Sequence, residues 1–575
     1  MTNAEIARIL REIAFYLDMN AVAFKPRAYE KAAYAVDALD DPISEAYRRN
    51  GIKAVEEIPG VGKSIAEKIV TLIETGKLPY YEELRQQMPV DLSALTGIEG
   101  LGPKMIKALY DQLAIRNLEE LEKAAREHKI RHLVHFGEKS EEKILKGIEF
   151  KKKHRGRFPL GVVLPLIETI EERLSRVKGV KKVIAAGSIR RRKETVGDAD
   201  ILVLSVQPAQ VMEAFVKLPE VVDIHARGET KSSVKINTGM NVDLRVVEET
   251  SFGAALCYFT GSKSHNISLR RIAQGKSLKL SEYGLFRGER AIAGRTEEEV
   301  YGALGLAFIP PELREDTGEI EAAQEGRLPD LVGYHDLRGD LQTQTTWTDG
   351  ANSIEEMAKE AKRLGLQYIA ITDHTRGLAM TGGSDEKKLA QQGLEIDRLN
   401  KTLSGMTVLK GAEVNIDKNG ALDIADEALA RLDVVGIAVH SHFSLPREEM
   451  TRRIIRAMEN PHADILFHPT GRLIERREPY EVDIDELIRT AKRTGTVLEI
   501  DAFPDRLDLK DEHVRKAVDA GVSLVIDTDA HNVNHLRFLH FGIATARRGW
   551  AKKSDVLNTR PLPQFLGALK DRRGG

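Results

Sequence analysis

The spacing of hydrophobic residues changes along the chain and divides it into three regions. In roughly the first 150 residues the apolar positions recur every three or four residues, as in segments 3–17 and 28–39, which predicts amphipathic helices. The middle region combines a helical pattern at 164–177 with shorter apolar runs. The runs that predict strands lie at 183–186, 201–204, 233–236 and 242–247. Together they indicate a small mixed sheet with a helix packed behind it.

The last third of the chain alternates between short apolar runs and helical segments, at intervals of about 30 residues. The predicted strands are 339–341, 368–372, 408–411, 434–439, 464–467, 497–500 and 524–526. Residues of metal-binding types close most of these strands. Side chains that follow successive parallel strands gather at one end of a βα barrel. The pattern therefore predicts a C-terminal α/β barrel with seven strands.

Composition narrows the class of protein. The chain has 575 residues, of which 42% are hydrophobic, so several folded domains are expected. Cys257 is the sole cysteine, which excludes disulfides and four-cysteine zinc sites and suits a reducing cytoplasm. We find no apolar signal region and no membrane-spanning run, so a soluble protein without a membrane partner is expected. Since the formal net charge is −2, any binding to nucleic acid must depend on local patches.

Two glycine-rich turns in the helical region share one form. Segments 60–63 and 100–104 each contain Gly-x-Gly ahead of a lysine and a helical pattern, and a degenerate copy lies at 134–140. Glycines allow close backbone approach, and the free N–H groups at a helix start can bind a DNA phosphate. One such turn alone would be an ordinary helix cap, but the repetition favours binding to the DNA backbone. The candidate residues are Lys25, Gly60, Gly62, Lys63, Gly100, Gly102 and Lys104.

The most informative run begins with Gly187-Ser188 and ends with Asp198-Ala199-Asp200, just before an apolar strand. Side chains two residues apart on a strand share a face, so the two acids point the same way. Asp243 lies in another strand pattern. Three carboxylates on neighbouring strands can hold two Mg²⁺ ions roughly 4 Å apart, which supports phosphoryl transfer. An Asp-x-Asp pair alone would more often be a solvated strand end.

These motifs resemble the palm of the family X DNA polymerases, the family of DNA polymerase beta. The resemblance rests on Gly-Ser-x-Arg-Arg at 187–191, Gly-Asp-x-Asp at 197–200, the later Asp243, and Tyr-Phe-Thr-Gly-Ser at 258–262 followed by an asparagine. It implies an α+β nucleotidyltransferase palm in which Asp198, Asp200 and Asp243 are catalytic acids that bind Mg²⁺. The residues that it implies for dNTP binding are Gly187, Ser188, Arg191, Tyr258, Phe259, Gly261, Lys263 and Asn266.

Three further positions follow from this resemblance. Lys263 replaces an acid of the animal repair polymerase, and Asn241 replaces an arginine that pairs with the third catalytic acid. Without that arginine we expect Asp243 to have a more ordinary pKa and to accept the primer 3′-OH proton more easily. Lys68 falls on the family's Schiff-base lysine, which implies 5′-deoxyribose-phosphate lyase activity. The alternative is a lysine that faces a DNA phosphate.

The residues that close the predicted barrel strands resemble those of the PHP (polymerase and histidinol phosphatase) domain, which many bacterial family X polymerases carry. The matching motifs lie at 349–350, 371–374, 411–413, 467–469 and 529–531. Such domains are distorted seven-stranded barrels that bind three metal ions, usually Zn²⁺ or Mn²⁺, and hydrolyse phosphoesters. The metal ligands that this resemblance implies are Asp349, His374, Glu413, His440, His468, Asp529 and His531.

By the same resemblance, Glu413, His440 and His468 hold one ion, while Asp349, His374 and His531 hold another. The family's His-x-His on the first barrel strand is replaced by glutamines at positions 342 and 344. The third ion should then keep only Glu413 and Asp529 as ligands, because a glutamine amide is a poor, neutral ligand. Three outcomes stay open: the nuclease works with two ions, needs high Mn²⁺, or is much reduced.

The sequence thus predicts a multidomain protein. Its expected parts are a helical DNA-binding and lyase domain (1–80), a helix-hairpin-helix fingers-type subdomain (81–150), a palm (151–248), a thumb (249–315), a linker (316–335) and a PHP domain (336–575). The leading hypothesis is a DNA polymerase that fills gaps in base excision repair and carries a 3′–5′ exonuclease or related phosphoesterase. Its expected partners are gapped or primer-template DNA and dNTPs, and we expect a monomer at the nucleoid in a bacterial cytoplasm.

Two alternatives remain. One is a template-independent nucleotidyltransferase, against which the helix-hairpin-helix motifs argue. The other is a DNA-binding protein or polymerase in which the barrel is a catalytically silent scaffold.

Overall fold

The computed structural model describes residues 1, 3–37, 39, 42–58, 60–96, 98, 101–134, 136–153, 156–378 and 381–573. Along these residues an all-helical region is followed by a five-stranded mixed sheet, a small three-stranded sheet and a seven-stranded parallel sheet. This order confirms the predicted fold class. None of the described helices is both long and apolar enough to cross a membrane.

The N-terminal region is built on helices that share one hydrophobic core. Ile6, Leu10 and Ile13 lie on one face of the first helix and are fully buried. Ala32 and Ala33 are buried on the second helix, where their small side chains allow close approach to the first. The helices are α1 (Asn3–Met19), α2 (Lys25–Asp37), α3 (Ile43–Asn50), α4 (Ile52–Glu56), α5 (Lys63–Thr75), α6 (Pro79–Gln87), α7 (Leu92–Leu95), α8 (Pro103–Leu113), α9 (Leu118–Arg126) and α10 (Glu138–Lys153).

The predicted palm contains a sheet with the strand order β2-β4-β7-β6-β5, in which β4 and β7 are parallel. Its elements are β1 (Phe158–Pro159), α11 (Leu160–Ser175), β2 (Val180–Ala185), α12 (Gly187–Arg190), β3 (Thr195–Val196), β4 (Asp198–Ser205), α13 (Pro208–Val216), β5 (Val221–Arg227), β6 (Lys231–Ile236) and β7 (Asn241–Val247). Val242, Leu244 and Val246 are buried on alternate positions of β7, so its polar residues lie on the other face.

The predicted thumb combines helices with a three-stranded antiparallel sheet. Its elements are α14 (Phe252–Thr260), α15 (Lys263–Gly275), β8 (Lys279–Ser281), β9 (Gly284–Arg287), β10 (Arg290–Ala293) and α16 (Glu297–Ala303). The segment predicted as a linker contains α17 (Glu319–Gln324), whose Ile320 and Ala323 belong to the thumb core. Glu319 also lies 2.6 Å from His265 Nδ1 on α15. The first part of this segment therefore packs as thumb.

The C-terminal region contains all seven predicted strands, parallel and in sequence order. Its elements are β11 (Gly339–Thr343), α18 (Ile354–Arg363), β12 (Tyr368–Ile371), α19 (Glu386–Asn400), β13 (Thr407–Asn415), α20 (Asp426–Leu429), β14 (Val434–Ala438), α21 (Arg447–Met458), β15 (Ile465–Leu466), α22 (Ile484–Thr494), β16 (Val497–Asp501), α23 (Asp511–Ala520), β17 (Leu524–Asp527), α24 (Leu539–Arg548) and α25 (Leu562–Arg573).

Side chains close this sheet into a distorted barrel. The backbone N–H of Leu341 on β11 donates to Asp527 Oδ1 on β17 at 2.7 Å. Asn558 lies behind the same seam, where its Nδ2 donates to Gly339 O at 2.9 Å and to Ile526 O at 2.7 Å. These bonds replace part of a regular ladder between the first and last strands.

The barrel also packs directly against the palm. Leu507 and Phe541 belong to the same hydrophobic cluster as Leu160 and Ile189 of the palm. Arg548 on α24 donates from Nη1 to the backbone oxygen of Arg191 at 2.8 Å. The backbone at Arg191, which leads towards Asp198, is thus hydrogen-bonded to the barrel.

Replacing Asn558 by alanine is expected to destabilise the barrel by about 3 kcal/mol, because it leaves buried backbone groups of β11 and β17 without partners. Urea unfolding followed by tryptophan fluorescence measures this, since both tryptophans of the chain, Trp347 and Trp550, lie within residues 336–575. The exposed Asn419→Ala serves as the control and should change the free energy of unfolding by less than about 0.5 kcal/mol. Equal effects of the two substitutions would contradict the role of Asn558.

Candidate active sites

The three predicted palm acids lie at one end of the mixed sheet. Asp198 and Asp200 are on β4, and Asp243 on β7 is directly opposite Asp200 in the parallel register. Asp198 is exposed where β4 begins, whereas the other two acids are half-buried. The strand pairing therefore gives the arrangement that the sequence pattern predicted.

Asp243 is held by the neighbouring strand β6. Ser233 donates from Oγ to Asp243 Oδ1 at 2.6 Å, and Lys231 Nζ lies 3.0 Å from Oδ2. Burial works against ionisation of this acid, but its two partners lower its pKa below the usual value. The expectation of an ordinary pKa for Asp243 was wrong, because Lys231 supplies a positive charge although position 241 does not.

Asp200 has the opposite environment. Burial, together with the negative charges of Asp198 and Asp243, raises the pKa of Asp200 to about 6. Gly187 lies against this side chain, with a φ of +61°, and a Cβ added there would come within 3.2 Å of Asp200 Oδ2. A divalent cation between the carboxylates would relieve their repulsion, and hard oxygen ligands of this kind fit Mg²⁺.

The predicted triphosphate turn forms the short helix α12, which contains Gly187 and Ser188. Arg191, just after it, is already engaged: its Nε donates to Glu315 Oε1 at 3.1 Å and its Nη1 donates to the backbone oxygen of Thr260. Gly261 lies beside the same guanidinium, since a Cβ there would be 3.2 Å from Arg191 Nη1. Arg191 thus links the turn to the thumb in this structure.

The remaining predicted nucleotide contacts lie at the junction of α14 and α15. The Tyr258 and Phe259 rings meet edge to face, with centroids 5.1 Å apart. Arg245 of β7 stacks on the Phe259 ring at 4.7 Å from its centroid. Asn266 donates from Nδ2 to Tyr258 O at 2.7 Å, and Lys263 is exposed at the start of α15. The aromatic pair is therefore fixed both from the palm and from the thumb.

The hairpin glycines stand at helix N-termini. Gly62 and Gly102 are the N-cap residues of α5 and α8, and a Cβ at either would meet nothing within 4 Å. Their helix starts are therefore open to a ligand for the free N–H groups. Gly60 has a φ of +86° and lies against Lys31, whereas Gly100 is outside the described residues.

The candidate lysines differ in their surroundings. Those exposed at helix starts are Lys25, Lys63 and Lys104. Lys68 is half-buried on α5, where its Nζ donates to Ser64 Oγ at 3.0 Å and lies 5.2 Å from the centroid of the Tyr80 ring. Lys68 thus lies beside an aromatic ring while its side chain stays partly exposed.

Glu413 is the centre of the barrel site. Its Oε1 lies 2.9 Å from Nε2 of both His440 and His468, and its Oε2 lies 3.4 Å from Nδ1 of His374. Burial disfavours its charge, but the surrounding imidazoles hold the pKa of Glu413 well below its usual value. A buried carboxylate among imidazole nitrogens is a donor set that fits Zn²⁺ or Mn²⁺.

A second group shares His374 with the first. Asp349 Oδ2 lies 3.6 Å from His374 Nε2 and 3.8 Å from His531 Nε2. His531 Nδ1 donates to the backbone oxygen of Asp529 at 2.7 Å, so the lone pair that can bind a cation is on Nε2. This orientation of the ring also fits a metal ligand.

Among the described residues, the groups whose ligand atoms all lie within 4.8 Å of one another are both in the barrel. They are Asp349, His374 and His531, and His374, Glu413 and His440. The palm acids are not among them, and Asp243 is paired with Lys231 and Ser233. His468 and Asp529 have φ values of +29° and +49°, strained conformations that are typical of functional positions.

Several residues at these sites were missed by sequence reasoning. Arg506, in the loop after β16, lies with its Nε 3.3 Å from Asp501 Oδ2 and 3.5 Å from Asp529 Oδ2. No strand or helix pattern marks it, because it lies in a loop. Lys231 and Ser233 could have been found, since their spacing of two residues on a predicted strand places both on the face of Asp243.

Family models of known proteins match four segments of the chain. Family models match as follows: a helix-hairpin-helix domain at 1–78, a SAM-like helix-hairpin-helix tandem at 92–149, the DNA polymerase beta thumb at 255–315 and the PHP domain at 340–501. The chain is 40% identical over 575 residues to "DNA polymerase/3′-5′ exonuclease PolX" of Bacillus subtilis, which covers 99% of this chain and 100% of the relative.

Other relatives match a smaller share of the chain. A protein of Thermoanaerobacter sp. (strain X514) named "Probable phosphatase" is 30% identical over 249 residues, which are 41% of this chain and 97% of the relative. A "Probable phosphatase" of Acetivibrio thermocellus is 34% identical over 201 residues, which are 33% of this chain and 78% of the relative. These relatives therefore match only part of the chain.

Replacing Asp200 by asparagine is expected to stabilise the metal-free palm at pH 8 and to change it little at pH 4. The pKa of Asp200 rises from 3.8 to about 6 on folding, so this acid favours the folded state when protonated and loses that contribution as the pH rises through 6. The gain at pH 8 should be on the order of 2 kcal/mol.

Native-state hydrogen exchange of the β4 and β7 amides in EDTA measures this difference. Asp223→Asn, at an exposed position on β5 of the same sheet, is the control. A gain of the same size at both pH values would rule out the protonation of Asp200 as its cause.

Proposed function

This chain belongs to the PolX family of bacterial family X DNA polymerases with a PHP domain, and we propose on that premise that it extends DNA primers and also removes 3′ ends. The polymerase would act at the palm acids and the exonuclease at the barrel site. One observation above all supports a polymerase site at the palm acids. Asp200 and Asp243 lie directly opposite each other on parallel strands, beside Gly187.

The palm residues would act as follows. Asp198, Asp200 and Asp243 would hold two Mg²⁺ ions, which would lower the pKa of the primer 3′-OH and stabilise the departing pyrophosphate. The low pKa of Asp243 keeps it charged beside Lys231 at neutral pH, so it is suited to holding a cation and poorly suited to keeping a proton. Gly187 admits the Asp200 carboxylate close to the backbone of the turn.

The incoming dNTP would lie between the turn of α12 and the junction of α14 and α15. Its triphosphate would meet Ser188 and, once Arg191 leaves Glu315 or Thr260, that guanidinium. Tyr258 and Phe259 would flank the sugar. Lys263 and Asn266 would complete the pocket, with the exposed ammonium of Lys263 beside the phosphates or the base.

Gapped or primer-template DNA would be held by its backbone at the N-termini of α5 and α8. The caps at Gly62 and Gly102 leave N–H groups free, and Lys63 and Lys104 add positive charge in the first turns of the same helices. Lys25 would add a further charge from the start of α2. Contacts of this kind fix position without reading sequence, which suits a repair enzyme that must act at any gap. We place such an enzyme at the bacterial nucleoid, acting as a monomer.

In the barrel, Glu413, His440 and His468 would hold one ion, and Asp349, His374 and His531 another, as either Mn²⁺ or Zn²⁺. Such ions activate water and neutralise charge on a scissile phosphate. The burial of Glu413 and the fixed ring of His531 support this role, because both groups are oriented before a substrate binds. Asp529 would hold the His531 ring through its backbone oxygen.

The two activities are expected to separate by mutation. Asp198→Asn should lower primer extension on a gapped duplex by about 10³-fold or more and leave 3′-end removal intact. Glu413→Gln should do the reverse. Gel assays of both reactions on one labelled substrate measure this, with Asp223→Asn and Glu448→Gln as exposed controls in the same two regions.

The same assays decide between the alternatives. Extension without a template would favour a template-independent nucleotidyltransferase. The absence of end removal in the wild type at any Mn²⁺ concentration would favour a barrel that is a silent scaffold. Loss of both reactions in either variant would contradict two separate sites.

For the lyase, Lys68→Ala is expected to abolish borohydride trapping of the protein on a duplex with a 5′-deoxyribose phosphate, because the amine that forms the Schiff base is removed. Lys53→Ala, at an exposed position on the neighbouring helix α4, should trap as the wild type does. Quantification of the covalent adduct gives the result. Undiminished trapping in the Lys68 variant would assign the chemistry to another amine.

A further inference from the structure

At the position expected for a third barrel ion, two glutamines stand where the family has histidine ligands. Gln342 is fully buried, and neither polar atom of its side chain has a hydrogen-bond partner among the described residues. Gln344 donates from Nε2 to Glu413 Oε2 at 2.7 Å. A metal ligand must present a lone pair, whereas this amide presents a donor to the carboxylate that the ion would need.

A cation of the chain nevertheless lies beside Asp529, one of the two ligands that remain for this ion. The guanidinium of Arg506 lies with Nε 3.3 Å from Asp501 Oδ2 and 3.5 Å from Asp529 Oδ2. Both carboxylates are buried, and Asp529 Oδ1 has no hydrogen-bond partner among the described residues. An arginine is always charged in a protein, so it offsets part of the negative charge of these acids at any physiological pH.

The loop that carries Arg506 is fixed on both sides. Leu507 belongs to the palm core, and its backbone oxygen accepts a hydrogen bond from Arg472 Nη2 at 2.7 Å. Pro504 is packed so closely on Gly161 of α11 that a Cβ there would lie 2.1 Å from it. The backbone that carries the guanidinium is therefore fixed beside the acids, by contacts with the palm and with Arg472 of the barrel.

We propose that Arg506 takes the place of the third divalent cation, so that the barrel site binds two metal ions instead of three. This rests on the proposed phosphoesterase function and assigns Arg506 as a positioning residue. Its fixed charge holds Asp529, and Asp529 in turn orients His531 through its backbone oxygen. The Arg506 side chain is 21% exposed, so a substrate phosphate can approach it from the solvent.

The test is the number of Mn²⁺ ions bound to the full chain, measured by equilibrium dialysis and elemental analysis. Asp198→Asn/Asp243→Asn is the common background, because it removes the palm ions. This background should bind about two Mn²⁺ per chain, and the further changes Gln342→His/Gln344→His/Arg506→Ala should raise the number to about three. The two histidines added with Arg506 retained should leave it at about two.

Arg476→Ala is the matched control, since Arg476 is 62% exposed and pairs with Asp505 on the same loop. It should leave the number of ions unchanged. Tryptophan fluorescence during urea unfolding checks that each variant retains a folded barrel.

Three ions in the background protein, or three after addition of the histidines alone, would overturn the proposal while leaving the phosphoesterase function intact. A variant with all three further changes that stays at two ions would also overturn it. If the protein with the native barrel binds no Mn²⁺ and removes no 3′ ends, the proposed function itself fails, and the inference about Arg506 fails with it.

Discussion

Repulsion between carboxylates gathered at strand ends is the constraint on which both candidate sites depend. In the palm, the register of β4 and β7 places Asp200 opposite Asp243, and the pKa of Asp200 rises to about 6 as a result of burial and of its acidic neighbours. In the barrel, burial and the charge of Asp529 raise the pKa of Asp501 well above its usual value. Folding can concentrate such charge only where protons or cations neutralise it. The sites are therefore places where the fold requires cations before any substrate is present.

The sequence pattern was sufficient for the barrel strands because strands buried on both faces are continuous apolar runs. It also located the palm acids, since a spacing of two residues fixes the face on which side chains lie. It could not reveal β5, which is exposed along most of its length and has no apolar run. The composition of 316–335 wrongly predicted a linker throughout. The helix α17 contributes only a few apolar residues to the thumb core, and its charged Glu319 is buried because it pairs with His265.

What could not be predicted depends on pairs of residues that are distant in sequence. Lys231 neutralises Asp243 because of the pairing of β6 with β7, and Arg506 reaches Asp529 because a loop crosses the end of the barrel. Asn558 stabilises the barrel seam from a segment after the last strand. A single sequence contains no local signal for such contacts, since each depends on tertiary register and not on periodicity.

The contacts between palm and barrel give this electrostatic scheme a further consequence. The same loop carries Arg506 to the barrel acids and Leu507 into the palm core, while Glu315 accepts hydrogen bonds from Arg191 near the palm acids and from Arg548 of the barrel. Arginine and lysine side chains of the chain do not dissociate, so they keep the carboxylates in place when metal ions exchange. They cannot, however, activate water as a metal ion does. We therefore infer a division of labour in which chain cations maintain the geometry of both sites and exchangeable metal ions supply their chemistry. Because the loop of Arg506 is anchored in the palm through Leu507, a disturbance of the contact between palm and barrel should reach the barrel site through the positions of its carboxylates, even where no metal ligand is touched.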